Sequence, residues 1–379
     1  MHGRPLSWVM AGVALAACTD GGAPNGSPPS AVSTMVTAGA ELDGLLAITE
    51  PGRWRSTGDD RFEVWICHVT QDATAAIYGA LPLRLALTPE QVTSVVAEHV
   101  TPYFETLSHG RYRPVFVAGG EATLAVDDEP QACIDEAIAG AAGDTRAVLV
   151  VADAEHGADQ QGGFGSGGGS CTSAPPCAVA DSRRFAYVGA SDFHPDWGAA
   201  PPMDLVQHEI GHTIGWEHSA LGPAGEYLSA LDVMSNSAAP RQLEAERRDA
   251  SGTLAVNLFT AGWLAATDVW VAPAGGGSVQ LAPSLDDAGT RLAVLPCCSG
   301  SLVTVELLAA EGLNAHLPSS GIAVHVVAVG DATVQRIDPL FGEPPFTSLL
   351  QPGDVLATSG WVITVGDDFS ITVTPDQPT

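Results

Sequence analysis

Residues 208–218 read His-Glu-Ile-Gly-His-Thr-Ile-Gly-Trp-Glu-His, with three histidines and a glutamate at spacings suited to metal chemistry. His208 and His212 are four residues apart, so on a helix both side chains point the same way and can bind one Zn²⁺. Glu209 lies about 60° around the helix axis from His212, and its carboxylate can reach a metal-bound water. Three imidazoles and one water are typical of a catalytic rather than a structural zinc site.

The third histidine, His218, needs a break in the helix. A continuous helix would carry it about 9 Å further along the axis than His212. Gly215 can adopt φ > 0, so the chain can turn there and bring His218 back. Val206, Ile210 and Ile214 form an apolar stripe on the other side of the same helix, which predicts that the stripe faces a core while the histidines face a cleft.

The extended motif resembles that of the metzincin clan of zinc endopeptidases. That clan also has a methionine turn, an apolar floor beneath the metal, and residues 231–235 with Met234 resemble this turn. Within the clan, residues 203–264 are similar to the gametolysin-like and immune-inhibitor-A-like secreted proteases. No tyrosine directly follows Met234, so the tyrosine zinc ligand of some metzincin branches has no counterpart there.

This resemblance implies an α+β fold with a metzincin-type catalytic domain, in which a twisted mixed sheet supports the active-site helix. It implies an exported zinc endopeptidase that acts on proteins or peptides, with one catalytic zinc and Glu209 as general base toward the zinc-activated water. Two alternatives stay open: a catalytically silent surface-binding lipoprotein on a protease fold, and a zinc hydrolase acting on cell-wall peptides.

The N-terminal residues predict export. Residues 1–17 contain Arg4 and then an apolar run too short to span a bilayer, which is typical of a signal peptide. Residues 15–18, Leu-Ala-Ala-Cys, resemble a bacterial lipobox, so Cys18 is the expected lipidation site; the alternative is an ordinary signal peptide with an incidental cysteine. Residues 18–40 are rich in Gly, Pro, Ser and Ala and predict a flexible tether. We therefore expect a lipoprotein at the cell surface or outer membrane, in contact with the membrane only through its lipid.

Composition narrows the partners. The chain has 44 acidic residues against 15 Lys plus Arg, none of them lysine, and a formal charge of −29. Such a surface repels nucleic acid and anionic membranes, and the absence of lysine excludes Schiff-base chemistry. Nothing in the sequence predicts the oligomeric state. Six cysteines remain after Cys18, an even number that favours disulfides in an exported chain. Cys171–Cys177 is the first pairing to expect, while Cys297 and Cys298 fit one vicinal bridge or two separate ones.

Sequence texture divides the rest into a catalytic domain at 41–267 and a β-rich accessory domain, antiparallel and β-sandwich-like, at 268–379. In the first we expect strands at 62–69, 111–117 and 147–152. We also expect a helix at 133–142 and one that begins at Pro89, with a capping box from Thr88 to Gln91, and ends near residues 108–110.

Two further predictions concern the surroundings of the motif. Residues 155–170 are glycine-rich and predict a surface loop, and 185–189 predict the edge strand that would hold an extended substrate. Asp192, His194 and Asp196 lie just upstream of the motif. They suit either a calcium site or, with more support from their types, turn chemistry.

Overall fold

The computed structural model describes residues 56–70, 84–125, 130–154, 163–165, 184–223, 225–297, 300–330 and 333–376. Up to residue 267, which we call the N-terminal unit, the elements are β1 (Gly58–Val69), α1 (Pro89–Ser108), β2 (Tyr112–Leu124), α2 (Gln131–Gly140), β3 (Ala147–Ala152), β4 (Gly163–Gly165), β5 (Arg184–Val188), α3 (Asp204–Thr213), α4 (Ala239–Leu243) and α5 (Ala255–Thr260). From residue 268 on, the C-terminal unit, they are β6 (Val269–Val271), β7 (Gly277–Gln280), β8 (Leu292–Pro296), β9 (Ser301–Leu308), β10 (Gly321–Gly330), β11 (Thr333–Pro339), β12 (Val355–Thr358), β13 (Trp361–Val365) and β14 (Ser370–Pro375). Several sheets with few helices confirm the α+β class.

The sheet of the N-terminal unit has the strand order β2-β1-β3-β5-β4. Neighbouring strands in this sheet pair in parallel, except that β4 runs antiparallel to β5. Apolar residues of α1 and α3 share one core with β1, β3 and β5, whereas α2 packs in a separate cluster against the same strands. The sheet thus has helices on both faces, which explains why every residue of β3 is buried.

The first helix begins as the sequence predicts. Thr88 accepts a hydrogen bond from the Gln91 backbone N–H, and the Gln91 side chain accepts one from the Thr88 N–H, so the capping box is confirmed. The helix ends at Ser108, and His109 closes it in the left-handed conformation with φ 52°. Pro102 lies inside the helix without ending it.

Two strand predictions in this sheet are wrong. We expected a strand ending at residue 117, but β2 continues to Leu124, because Gly119 and Gly120 leave room for the Trp65 indole rather than breaking the strand. We also expected residues 185–189 at the sheet edge, but β5 lies between β3 and β4. On that side of the sheet the edge strand among the described residues is β4, inside the segment expected to be a loop. Its Gly-Phe-Gly sequence carries no alternating apolar signal, and it pairs through its backbone.

The C-terminal unit contains two sheets, ordered β11-β10-β9-β8-β6 and β12-β13-β14-β7. All their pairs are antiparallel except β6 with β8. Inward-facing residues of both sheets form one core, among them Val305, Val324 and Ile363. We did not predict β6, β11 or β12 from the sequence.

The two units share a core. Leu292, Leu302 and Val327 of the C-terminal unit belong to the same apolar cluster as the residues beneath α3. Glu306 of β9 is buried, and both its carboxylate oxygens accept the Ala255 N–H at the start of α5, at 3.1 and 3.0 Å. The five-stranded sheet of the C-terminal unit is therefore covered on both faces.

One disulfide lies within the described residues. Cys67 of β1 bonds Cys133 of α2, with 5.8 Å between their Cα atoms, which confirms that the chain uses disulfides. Cys171, Cys177 and Cys298 lie outside the described residues, so their predicted pairings stay predictions. Of the helices described, none is long and apolar enough to cross a membrane.

Candidate metal centre

Helix α3 carries the first half of the site. Val206 and Ile210 are fully buried in the core of the N-terminal unit, as is Ile214 directly after the helix. This stripe fixes the rotation of the helix, so that His208 and His212 project together on the opposite side. Both histidines are buried within the fold, at 4% and 5% exposure. The prediction that the stripe faces a core agrees with the structure.

The helix ends at Thr213 in a glycine turn. Gly215 has φ 93°; its N–H donates to His212 O at 3.0 Å, and the Trp216 N–H donates to Gly211 O at 3.1 Å. This pair of bonds is a Schellman motif, which satisfies carbonyls at the helix end while the chain reverses. The reversal brings His218 beside the helix, as the sequence predicts for this glycine.

The three histidines converge on one point. His218 Nε2 lies 2.9 Å from His212 Nε2 and 3.2 Å from His208 Nε2. One ligand atom from each residue lies within 4.8 Å of the others, and within the described residues this is the one such group of three. The outer ring nitrogens of the helix pair face backbone carbonyls: His208 Nδ1 is 2.7 Å from Val233 O, and His212 Nδ1 is 2.9 Å from Trp216 O.

These contacts test whether a metal fits. A carbonyl oxygen only accepts, so Nδ1 of His208 and His212 must carry the hydrogen. Burial lowers the pKa of His208 well below its ordinary value and, with the neighbouring His218, lowers the pKa of His212 to about 3. Neutral rings with hydrogen on Nδ1 turn Nε2 lone pairs toward one another. The Nε2 atoms of His208 and His212 are then free to bind a cation beside His218, and imidazole nitrogens suit Zn²⁺, so the donor set fits zinc.

Glu209 lies beside this point in a closed environment. It is 2% exposed, and its Oε2 has no hydrogen-bond partner among the described residues. Burial raises the pKa of the Glu209 carboxyl well above its ordinary value. Strand β4 packs directly over it: a methyl group built on Gly163 would lie 2.8 Å from Glu209 Oε1, and one on Gly165 would lie 2.7 Å from His212 Cβ. Only glycines allow β4 to lie this close to the helix.

Met234 packs against the helix at Gly211, and its role as a methionine turn stays a prediction. It is fully buried, and a methyl group built on Gly211 would lie 2.5 Å from its sulfur. The Met234 carbonyl accepts the Ser219 N–H at 3.0 Å. The methionine thus supports α3 from below and ties the residue after the third histidine to the same turn.

Sequence reasoning missed Tyr227. Its hydroxyl lies 3.3 Å from His218 Nε2, and its ring meets the rings of His218 and His208 edge to face, with centroids 5.0 and 5.6 Å away. Tyr227 is 44% exposed and lies opposite Leu221 in a short antiparallel bridge. The tyrosine ligand of some metzincin branches follows the methionine, whereas Tyr227 precedes Met234 by seven residues, and nothing in its spacing marks it.

Asp232 was also missed. Its buried carboxylate accepts hydrogen bonds from Ser219 Oγ at 2.6 Å and from Thr253 Oγ1 at 2.9 Å. Burial raises the pKa of this carboxyl, while the Ser219 and Thr253 hydroxyls oppose the shift. Asp232 therefore joins the residue after His218 to the segment that leads into α5. An aspartate two residues before a methionine gives no sequence signal for such a contact.

The other predicted residues fall elsewhere. Asp192, His194 and Asp196 do not form a three-ligand group among the described residues. His194 Nδ1 accepts the Asp196 N–H at 3.1 Å, which is turn chemistry, and calcium stays an untested prediction. Cys18 lies outside the described residues.

No family model matches the chain, and a search of curated proteins also finds no match. Any functional conclusion therefore rests on the site itself.

Proposed function

We propose that the chain is a zinc-dependent endopeptidase of the metzincin type, exported from a bacterial cell. The observation that supports this best is the convergence of His208, His212 and His218, two of them oriented by backbone carbonyls, with Glu209 beside them, whose Oε2 has no hydrogen-bond partner among the described residues. Three nitrogen ligands leave a coordination position open for reaction.

When bound, a zinc ion supplies Lewis acidity, which polarises a carbonyl group and lowers the pKa of water to about 7. Glu209 takes the proton from the attacking water and delivers it to the leaving amine. The outer edge of β4 pairs with no described strand, so it offers backbone groups to an extended peptide; recognition through the main chain favours broad specificity.

The deciding experiment measures cleavage of an unfolded protein by a soluble form that begins at Glu41. We expect Glu209→Gln to bind zinc normally but to lose about 10²- to 10⁴-fold in kcat/KM, the usual contribution of a general base. A zinc chelator should abolish the wild-type activity. Retained activity in Glu209→Gln would contradict the assigned base, and a folded, zinc-loaded wild type that cleaves nothing would favour the surface-binding lipoprotein.

A zinc hydrolase acting on cell-wall peptides shares this site chemistry and stays the second candidate. Peptidoglycan fragments offered beside the protein substrate separate the two. The Cys67–Cys133 bridge supports an oxidising compartment, and we propose lipid attachment at Cys18. Radiolabelled fatty-acid incorporation that persists in Cys18→Ser would contradict the anchor.

A further inference from the structure

We infer that the C-terminal unit is a working part of the metal centre, because it holds the segment on which the third ligand depends. We call residues 219–235, from the residue after His218 to the residue after Met234, the ligand–methionine segment. The inference rests on the proposed function only in taking the three histidines as zinc ligands. The described residues of this segment form no helix and no long strand, so contacts with other parts of the chain must fix its position.

Backbone hydrogen bonds tie both ends of this segment to the C-terminal unit. Near its start, the Ala220 N–H donates to Ile337 O of β11 at 2.8 Å, and Ser219 pairs with Ile337 in a parallel bridge. Further on, the Ala230 N–H donates to Pro345 O at 2.8 Å. Main-chain bonds of this kind fix position as well as proximity.

His316 of the C-terminal unit completes the second anchor. Its Nε2 donates to Ala230 O at 2.8 Å, and the side chain is buried. Both backbone polar groups of Ala230 are therefore bonded by the C-terminal unit. A buried carbonyl deprived of its donor is costly, so the segment is most stable when docked.

Leu231 supplies the apolar part of the anchor. It is 3% exposed and belongs to a small buried cluster whose other members all come from the C-terminal unit: Leu308, Leu317, Ala323 and Leu349. Val233 and Met234 follow two and three residues after Leu231. The Val233 carbonyl accepts a hydrogen bond from His208 Nδ1. The cluster therefore helps to position Val233, which orients His208, as well as the segment that follows His218.

Docking and metal binding are thereby coupled. When the ligand–methionine segment is docked on the C-terminal unit, His218 lies against His208 and His212. If this docking strengthens zinc binding, zinc binding must strengthen the docking by the same factor. Loosening the anchor should weaken zinc binding even in a chain that stays folded. The C-terminal unit is then not a detachable module but a support on which the site depends.

The test compares zinc affinity in full-length Leu231→Ala and Leu295→Ala. Leu295 is fully buried in the core between the two C-terminal sheets, so both variants lose a buried leucine side chain, one at the anchor and one away from it. Zinc competition with a chromophoric chelator, in samples shown to be folded by near-UV circular dichroism, should give about a 10- to 100-fold weaker affinity for Leu231→Ala, the usual effect of removing an outer-shell support. Leu295→Ala should bind zinc like the wild type. Equal affinities in the two variants would overturn the inference.

If Leu231→Ala fails to fold, the test compares His316→Ala with the control variant His325→Ala. His325 is a suitable control because it is also a buried histidine of the C-terminal unit, on β10. Hydrogen exchange of the metal-free protein provides a readout that needs no zinc. Residues 219–235 should exchange faster in His316→Ala and unchanged in His325→Ala, and equal exchange would overturn the anchoring. A wild type that binds no zinc would instead contradict the proposed function, while the exchange result still tests the anchor.

Discussion

The two halves of the proposed metal centre are built differently. His208, Glu209 and His212 lie on α3, whose regular hydrogen bonds and buried stripe fix them within the N-terminal unit. His218 and Met234 lie beside irregular backbone that hydrogen-bonds to the C-terminal unit and packs against it. We call these the helix half and the segment half.

The difference shows how the same site depends on local and distant sequence. The helix half requires only residues near one another in the chain, because a four-residue spacing on a helix aligns two side chains. The segment half requires residues about 100 positions away, such as Ile337 and Pro345. Substitutions in the helix half should therefore change catalysis directly, whereas substitutions in the segment half should act by moving His218 away from the other two histidines.

The largest effect expected in the segment half is that of His218→Ala. The site would lose one of three protein ligands, so zinc affinity should fall by more than about 100-fold, beyond the range for outer-shell partners. Secondary structure should not change, because His218 lies outside the helices and strands. Zinc content after dialysis measures this, with His99→Ala on α1 as the control. Full zinc retention by His218→Ala would remove the segment half from the site.

A smaller effect concerns Glu306, which joins β9 to the start of α5. Burial raises its pKa to about 8 from an ordinary 4.5. Between these values the folded protein keeps a proton that the unfolded chain releases. The stability contribution is therefore complete below about pH 4.5 and falls as the pH rises toward 8.

Glu306→Gln keeps an acceptor oxygen for the Ala255 N–H and cannot ionise. Its unfolding free energy relative to wild type should rise between about pH 5 and pH 8 by at least about 1.4 kcal/mol, the equivalent of one pKa unit. Urea unfolding at both pH values measures the change. If the difference in unfolding free energy between Glu306→Gln and wild type stays constant with pH, the Glu306 carboxyl does not titrate with a raised pKa in the folded protein.

The smallest effect concerns Ala220, which has φ 51° at its bond to Ile337. Ala220→Gly should stabilise the protein by about 0.5 kcal/mol: relief of about 1–2 kcal/mol of left-handed strain is partly offset by about 0.4–1 kcal/mol of added chain entropy in the unfolded state. Ala230→Gly, in the same segment without positive φ, should destabilise it. Thermal unfolding compares the two, and stabilisation by both would rule out strain at Ala220.

The sequence predicts much of the helix half. The histidine spacing, the apolar stripe and the turn at Gly215 follow from helical periodicity and glycine chemistry, as does the capping box of α1. The buried strand β3 is also predicted, because its six consecutive apolar residues are a signal that lies within the strand itself.

What the sequence does not predict depends on contacts made by otherwise ordinary residues. Tyr227 and Asp232 act where the fold places them, and Leu231 is one leucine among many. Strand β4 is hidden because its glycines matter for the space they leave over Glu209. The extension of β2 past Gly119 is hidden in the same way, since the partner that needs the space, Trp65, is far away in sequence.

The Cys67–Cys133 bridge has a practical consequence for preparing this protein. It closes a loop of 66 residues that contains all of α1 and β2, and a loop of that length restricts the unfolded chain by about 4 kcal/mol. That is a large share of the stability of an ordinary domain. Material made in a reducing cytosol would lack this contribution in the unit that carries the helix half. Production in an oxidising compartment, or refolding with a thiol–disulfide couple, is therefore the route to a sample in which zinc binding is measured on the native fold.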